Sequence, residues 1–400
     1  MKEGMCKLLC KNYQFRNNYL LLYKLLNNHL FFKREVMNLK SLSLFIILLF
    51  VNYCNWIEFN KVDIPNKEKY SENQIQVNKD LKTVVFLVDE EGTEITDLLI
   101  PFHILSIPKK LNIIILSQNG KPVSVWKGLY LIPHSSVEKF TLSPDIIVLP
   151  ANFHPSDTKL IGYIQKYADR QFLSICEGAR LIGESGSFSG YTMTSHASAI
   201  SEFEKKYSNI RWKSNVKYIL DKNLISSAGV ASSIEGSLLL IRELFGNEEM
   251  NKVISVINYP YKEIKQEHNS KPIGISIGLD IAKKILFGES HKIGIEIYEG
   301  VDEFLLASYL DTFNRTFPKR IETFGPSPII SMNGLILYPT QKLESYDYGF
   351  CKDDCSGYKI EFKHKIKQER KAYFFDTTLS LVDKMYGENL KEATRSLLDY

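Results

Sequence analysis

One stretch narrows the folds open to this chain more than any other, the run from Asp145 to Gly186, DIIVLPANFHPSDTKLIGYIQKYADRQFLSICEGARLIGESG. It reads as an apolar strand (Ile146 to Leu149), a helix (Thr158 to Ala168) and a second strand (Gln171 to Ile175) that stops at Cys176 and passes through Glu177-Gly178 into another helix. A strand ending in a nucleophile-type side chain, followed by a small-residue turn and a helix, is the nucleophile-elbow pattern, here with cysteine in the serine position. The helix that follows aims its unpaired N–H groups and positive dipole end at the sulfur, which favours thiolate over thiol. The same residues also fit a buried free cysteine acting as a small hydrophobe. The local sequence leaves both readings open.

The flanking chain sets the frame. Four hundred residues are enough for two domains of ordinary size, and a net charge of +4 calls for no nucleic-acid partner. Before residue 41, eight Lys/Arg face only Glu3 and Glu35, so residues 1–38 read as a basic leader. Residues 39–57, LKSLSLFIILLFVNYCNWI, follow as a signal or anchor segment whose core from Leu42 to Val51 is uncharged, with Cys54 where a lipid-modified cysteine would sit. Met37 offers a second start. The folded part is then expected on the outer, periplasmic side of a membrane if that leader functions, and in the cytoplasm otherwise. Residues 58–80 are polar and read as a tether. Late in the chain, Cys351 and Cys355 form a C-x-x-x-C pair, which suits either a disulfide or two ordinary loop thiols. No second ligand pair accompanies them, so no metal site is expected.

From residue 81 the chain alternates strands and helices, the mark of a parallel sheet wrapped by helices, an α/β fold. Leu81 to Asp89 reads as a buried strand, Ile95 to Ser106 as an amphipathic helix, Leu111 to Ser117 as the next strand, and Pro122 to Pro133 as a small β-excursion. Further on come a strand end at Tyr191 to His196, a helix from Ala197 to Tyr207, strands at Arg211 to Val216 and Leu224 to Ser227, and a helix from Ser233 that Gly246 stops. In such a sheet chemistry gathers where strands end and helices begin. Three such ends carry Glu94, Cys176 and His196, and their placement after three neighbouring strands suggests a constellation. Taken singly, Glu94 fits a helix N-terminal charge and His196 a cap.

The order and spacing of these residues resemble the DJ-1/PfpI family of the class I glutamine-amidotransferase-like superfamily, in the branch of isonitrile hydratases and the N-terminal domains of AraC-type regulators. The resemblance rests on G-x-E-x-x-D (Gly92, Glu94, Asp97), S-I-C-E-G-A (Ser174 to Ala179), T-S-H (Thr194 to His196) and S-S-A-G-V-x-x-x-I-E (Ser226 to Glu235), and covers about residues 81–260. It implies a flavodoxin-like sheet, Cys176 as nucleophile or redox-sensitive thiol, Glu94 as the acid beside the sulfur, His196 nearby, and an oxyanion held by the N–H groups of Glu177 and Gly178. Two positions depart from the family. Glu177 stands where the protease-like members have His and the isonitrile hydratases Thr, so a peptidase triad of that kind is not expected, and a carboxylate beside the sulfur opposes thiolate formation. Ala151-Asn152 replaces the family's Gly-Gly, which puts Asn152 on the oxyanion side of the pocket.

Beyond a linker at 261–290, the segment 291–400 repeats parts of the first domain. HKIGIEIYEGVDEFLLASYLDTF parallels KTVVFLVDEEGTEITDLLIPFHIL with Asp302 opposite Glu94, and FFDTTLSLVDKMYGENLKEATRSLLDY parallels SIEGSLLLIRELFGNEEMNKVISVINY with Asp376 opposite Glu235. The middle, with its elbow, is missing, and no cysteine is expected after a strand there. The expectation is a truncated copy packed on the first as an intramolecular pseudo-dimer, with a homo-oligomer as the other arrangement. Two function classes follow. One is a membrane-anchored, cysteine-dependent hydrolase, hydratase or glyoxalase-like enzyme for a small electrophilic molecule, without cofactor. The other is a non-catalytic binding or redox-sensing module of the same fold. Transcription control is disfavoured because no basic recognition helix follows.

Overall fold

The computed structural model describes residues 77–126, 128–268, 275–342, 344–369 and 373–398. The leader, the apolar segment with Cys54, and most of the tether lie outside them. No described helix is long and apolar enough to cross a membrane.

The first lobe runs β1 (Lys82–Val88), α1 (Ile95–Ser106), β2 (Leu111–Ser117), β3 (Val123–Val125), β4 (Leu129–Leu131), β5 (Ser135–Ser136), β6 (Ile146–Leu149), α2 (Thr158–Lys166), β7 (Gln171–Ile175), α3 (Ala179–Ser185), β8 (Thr192–Met193), α4 (Ala197–Lys206), β9 (Arg211–Trp212), β10 (Tyr218–Asp221), β11 (Leu224–Ser227) and α5 (Ser232–Val256). Its main sheet has the order β10-β11-β7-β6-β1-β2-β5. The strands β2, β1, β6, β7 and β11 are parallel and follow the 2-1-3-4-5 order of a flavodoxin-like, doubly wound sheet, while β10 closes the far edge antiparallel to β11. The apolar runs TVVFLV, IIVL and FLSI form the middle of the sheet because both of its faces are covered, which leaves no room for an alternating polar side. Helix α5 is broken at Gly246, whose φ of 84° and ψ of 175° are not helical, as the glycine in the sequence suggested.

Two sequence expectations need correction. Strand β8 does not belong to the main sheet. It pairs only with β9, in parallel, so His196 does not lie at a strand end neighbouring Cys176 in that sheet. A two-residue strand cannot compete for an edge already taken by β10. Helix α1 is not amphipathic in its setting: every residue from Ile95 to Leu105 is buried. A helix covered all round is a core helix, and α1 is one because it packs against α5 on one side and against a helix of the second lobe on the other.

The second lobe comprises β12 (Lys292–Glu296), α7 (Glu303–Asn314), β13 (Arg320–Phe324), β14 (Ile329–Ile330), β15 (Ile336–Pro339), β16 (Ser345–Cys351), β17 (Glu361–Lys367), α8 (Phe374–Tyr386) and α9 (Glu388–Leu397). It forms one compact unit with the first lobe. The helix between them, α6 (Ile275–Phe287), falls in a separate unit. The order β13-β12-β16-β17, all parallel, is the 2-1-3-4 part of the first lobe's sheet. Asp302 caps α7 by accepting from Leu305 N–H, as Glu94 caps α1 by accepting from Asp97 N–H. Gly387, at φ 85° and ψ 170°, separates α8 from α9 as Gly246 breaks α5. Cys351 is the last residue of β16 rather than part of a loop, and it is joined to Cys355. A cysteine therefore does end a strand here, because pairing with β12 and β17 carries β16 as far as Cys351.

The lobes are joined at several places, among them a shared sheet and a buried polar cluster. The small sheet β14-β15-β4-β3 takes strands from both, pairing Leu337 with Leu131 and Tyr338 with Tyr130. Helices α1 and α7 also meet across a buried polar cluster. Glu303 accepts from Asn333 Nδ2 at 2.7 Å, from Ser331 Oγ at 2.5 Å and from Asn333 N–H at 2.7 Å, and lies 2.8 Å from His103 Nδ1. Burial acts to raise the Glu303 carboxyl, but the His103 contact and these donors hold it below its usual range. Replacing Glu303 with Leu orphans several buried donors at once. The loss expected in urea denaturation is about 3 kcal/mol or more, and a change under about 1 kcal/mol would remove this cluster from the account of how the lobes are held.

Candidate active site

Cys176 sits at the C-terminal end of β7 with φ 53°, a left-handed backbone that non-glycine residues rarely adopt. Two neighbours hold it there. Ser195 donates its hydroxyl to the Cys176 carbonyl at 2.7 Å, and Gly178 comes so close to the end of β6 that a Cβ would overlap the Leu149 carbonyl oxygen. The elbow is therefore pressed against the β6 end, and Cys176 is buried within reach of the charges of Asp97 and Glu94 at the start of α1. Such a strained turn, held from several sides, is the arrangement expected where a side chain must be presented for chemistry.

On the facing side, the first turn of α1 carries Glu94 and Asp97, clamped to the chain just past β6. Glu94 N–H donates to the Ala151 carbonyl at 2.9 Å, and Ala151 N–H donates to Asp97 Oδ2 at 3.1 Å. Glu94 Oε2 accepts from Asp97 N–H and from Thr96 Oγ, both at 2.7 Å. From the second lobe come Asp311 of α7 and Arg315, which caps its C-terminus; they are ion-paired at 3.0 Å, with the Arg315 guanidinium 3.8 Å from Glu94 Oε1. Glu94 Oε1, Asp97 Oδ1 and Asp311 Oδ2 are buried without a hydrogen-bond partner. Three buried carboxyls thus share a single guanidinium, and they cannot all ionise.

The electrostatics follow from that count. Burial first, then the charges of Asp97 and Asp311, pushes Glu94 well above the usual carboxylate range. Burial pushes Asp97 up to about 7 against the pull of Ala151 N–H. Asp311 is raised by burial while Arg315 opposes the shift. The Cys176 thiol is itself pushed well up by burial, then by Asp97, Glu177 and Glu94, while the Glu177 N–H and the Arg315 guanidinium act the other way. This corrects the expectation that the helix N-terminus makes a thiolate: the thiol keeps its proton, because burial and like charges outweigh the dipole of a helix of only seven residues.

The remaining sequence candidates are placed as follows. Glu177 turns its carboxylate to Arg180 at 2.7 Å, which also pairs with Glu202, so its charge is partly compensated. Asn152 uses its amide to brace the β1–β6 junction, accepting from Asp89 N–H and Thr93 Oγ and donating to the Leu87 carbonyl, rather than facing the oxyanion position. His196 caps α4 with Nδ1 2.8 Å from Ser198 Oγ, and no hydrogen bond or ion pair joins it to Cys176 or Glu94. The sequence reading missed Asp311 and Arg315. Their only signal was their place at the end of the segment that parallels Ile95 to Ser106, more than two hundred residues from Glu94. It also missed His154, which sits beside the buried Asp89 carboxylate at 2.9 Å.

Residues 82–243 match the model of the DJ-1/PfpI family, the family whose motifs the sequence resembles. Protein dj-1beta of Drosophila melanogaster is 27% identical over 142 residues, which cover 34% of this chain and 74% of that protein. The crystal structure of Drosophila melanogaster DJ-1beta aligns with a TM-score of 0.40 and 20% identity, over 44% of this chain and 96% of that one. A THiJ/PfpI family protein from Pseudomonas syringae aligns with a TM-score of 0.44 and 17% identity, over 57% of this chain and 98% of that one.

Two outcomes are expected. Asp97 rises from its ordinary 3.8 to about 7 on folding, so its protonated form is the one the fold favours. Its contribution to stability is complete below the ordinary value and is lost as pH rises through about 7. The stability of the parent relative to Asp97→Asn, from urea midpoints, should therefore fall between acid and mildly alkaline pH; a flat difference would contradict the assignment. Iodoacetamide should alkylate Cys176 with an apparent pKa above the free value of about 8.5, and Asp97→Asn should lower that pKa. A fast-reacting Cys176 at neutral pH would contradict it.

Proposed function

We propose that the lobe matching the DJ-1/PfpI model is a cysteine-dependent enzyme that acts on a small electrophilic molecule, of the carbonyl type, by hydrolase, hydratase or glyoxalase-like chemistry. The observation that carries this reading is the juxtaposition of the strained Cys176 elbow with two buried carboxyls, both held above the usual carboxylate range. Neighbouring buried carboxyls that cannot both ionise supply an acid and a base in one site. Asp97, near 7, is matched to take a proton at neutral pH, while Glu94 stays protonated and can give one. In the proposed step the Cys176 sulfur bonds to the carbonyl carbon as its proton passes to Asp97. The carbonyl π pair moves to oxygen, which the Glu177 and Gly178 N–H groups hold and Glu94 protonates. Arg315, reaching in from the second lobe, opposes the rise that burial imposes on Asp311 and limits the negative charge around the sulfur.

The alternative, a non-catalytic binding or redox-sensing module, draws support from the raised thiol and from His196 facing its own helix. The second lobe, with its matching strand order, caps and helix break, supports the reading of a truncated copy packed on the first as a pseudo-dimer. The basic leader and the uncharged Leu42 to Val51 run support membrane anchorage, which fractionation of the full chain would test.

A panel of small aldehydes, α-oxoaldehydes and isonitriles tests the catalytic reading. Turnover of at least one of them should vanish in Cys176→Ser and fall about 10²- to 10⁴-fold in Glu94→Gln, with Arg315→Met lowering it and shifting its pH profile. Equal rates in Cys176→Ser and the parent would leave the binding-module reading.

A further inference from the structure

The second lobe has its own crevice. In the order β13-β12-β16-β17 the chain leaves β12 toward β13 on one side and returns to β16 on the other, so the carboxyl ends of β12 and β16 flank a topological switch point, where doubly wound sheets bind ligands. The last residues of those two strands are Glu296 and Cys351, adjacent because Ile295 pairs with Phe350. Cys355 returns beside them across a short turn, its Cα 5.5 Å from that of Cys351. One carboxylate oxygen and both sulfur atoms lie within 4.8 Å of one another, and all three residues are buried.

Glu296 is the unusual member. It is 8% exposed, and among the described residues no Lys or Arg forms an ion pair with it. Its oxygens are aimed by two donors, Lys352 N–H at 2.6 Å and Tyr358 O–H at 2.8 Å. A buried carboxylate without a cation is costly, whereas one oriented by two outer hydrogen bonds beside two sulfurs has the construction of a metal ligand with its supporting shell. Phe324, Tyr358, Ile360 and Phe362 exclude water around the sulfurs.

We propose that Cys351, Cys355 and Glu296 form a redox-gated site for a zinc-type divalent metal. Two thiolates and a carboxylate are donors that zinc accepts, at about 2.3 Å to sulfur and about 2.0–2.2 Å to oxygen, and three protein ligands leave the fourth tetrahedral position to water. The disulfide is the closed, metal-free form of the site. A phosphine opens it by a two-electron reduction in which phosphine and water become phosphine oxide and the disulfide becomes two thiols. Zinc then displaces the two thiol protons. A small disulfide closes the site again: exchange forms the Cys351–Cys355 bond, reduces the added disulfide to two thiols with two protons, and releases Zn²⁺. Sequence reading set zinc aside for want of further ligands beside the C-x-x-x-C pair. Glu296, more than fifty residues earlier, becomes the third ligand only through β12–β16 pairing.

The experiment uses the full chain with Cys6, Cys10, Cys54 and Cys176 changed to serine, so that the pair holds the only thiols. After phosphine reduction and removal of the reductant, zinc is added, excess is removed, and bound metal is measured by elemental mass spectrometry, with Co²⁺ as a spectroscopic probe. The expected result is one zinc per chain in the reduced protein and none in the oxidised protein, with a thiolate-to-cobalt charge-transfer band that Cys351→Ser abolishes. Glu296→Gln should weaken zinc at least about tenfold in a chelator competition. Absence of zinc from the reduced parent overturns the proposal, as does unchanged affinity in a folded Glu296→Gln. Should that variant fail to fold, Glu296→Asp and the parent's stoichiometry and cobalt spectrum decide.

Discussion

The structure depends on how α1 is buried. Its first turn brings two carboxyls into the interior, its middle fills the space between the lobes, and its last turn presents His103 to Glu303. Charge is tolerated there only because each group has been answered: Ala151 and Asp97 N–H by acceptors of opposite sense, Asp311 by Arg315, and the surplus negative charge by protons retained on Glu94 and its neighbours. Excluding water raises the proton affinity of these carboxyls and strengthens the interactions among them. Structural cost and chemical opportunity have the same origin here.

The second lobe therefore does more than cover an apolar helix. It contributes Asp311 and Arg315 to the carboxyl cluster beside Cys176 and completes a small sheet with β3 and β4. Asp311 and Arg315 act on both Glu94 and Asp97, so the proton affinities of that cluster depend on both lobes. The fold keeps the site dry by continuing the chain over it.

Much of this was legible in residues alone. The strands at Leu111–Ser117, Ile146–Leu149, Gln171–Ile175 and Leu224–Ser227 lie where the apolar runs put them, because a strand buried on both faces must be apolar throughout. The turn after Cys176 was marked locally by Glu177-Gly178 and the break in α5 by Gly246 itself, although Ser195 and the end of β6 hold the Cys176 turn in place. The misreadings share a different cause. Helix α1 was read as amphipathic, and His196 was set in the main sheet because Tyr191 to His196 read as a strand end. In both cases the deciding neighbour comes from elsewhere in the chain: α7 over α1, and β10 on the edge that β8 would have needed.

Periodicity, glycine placement and the spacing of Glu94, Cys176 and the serine-rich turn were enough to settle the layered parallel sheet and the position of the elbow, since these rest on interactions within a few residues or on whether a strand is covered. The protonation of the thiol, the ties that commit Asn152 and Glu177 elsewhere, and the arrival of Arg315, Asp311 and Glu296 at their sites were decided by tertiary structure alone. Burial and long-range charge are sums over everything packed around a group, and no window of sequence contains that sum.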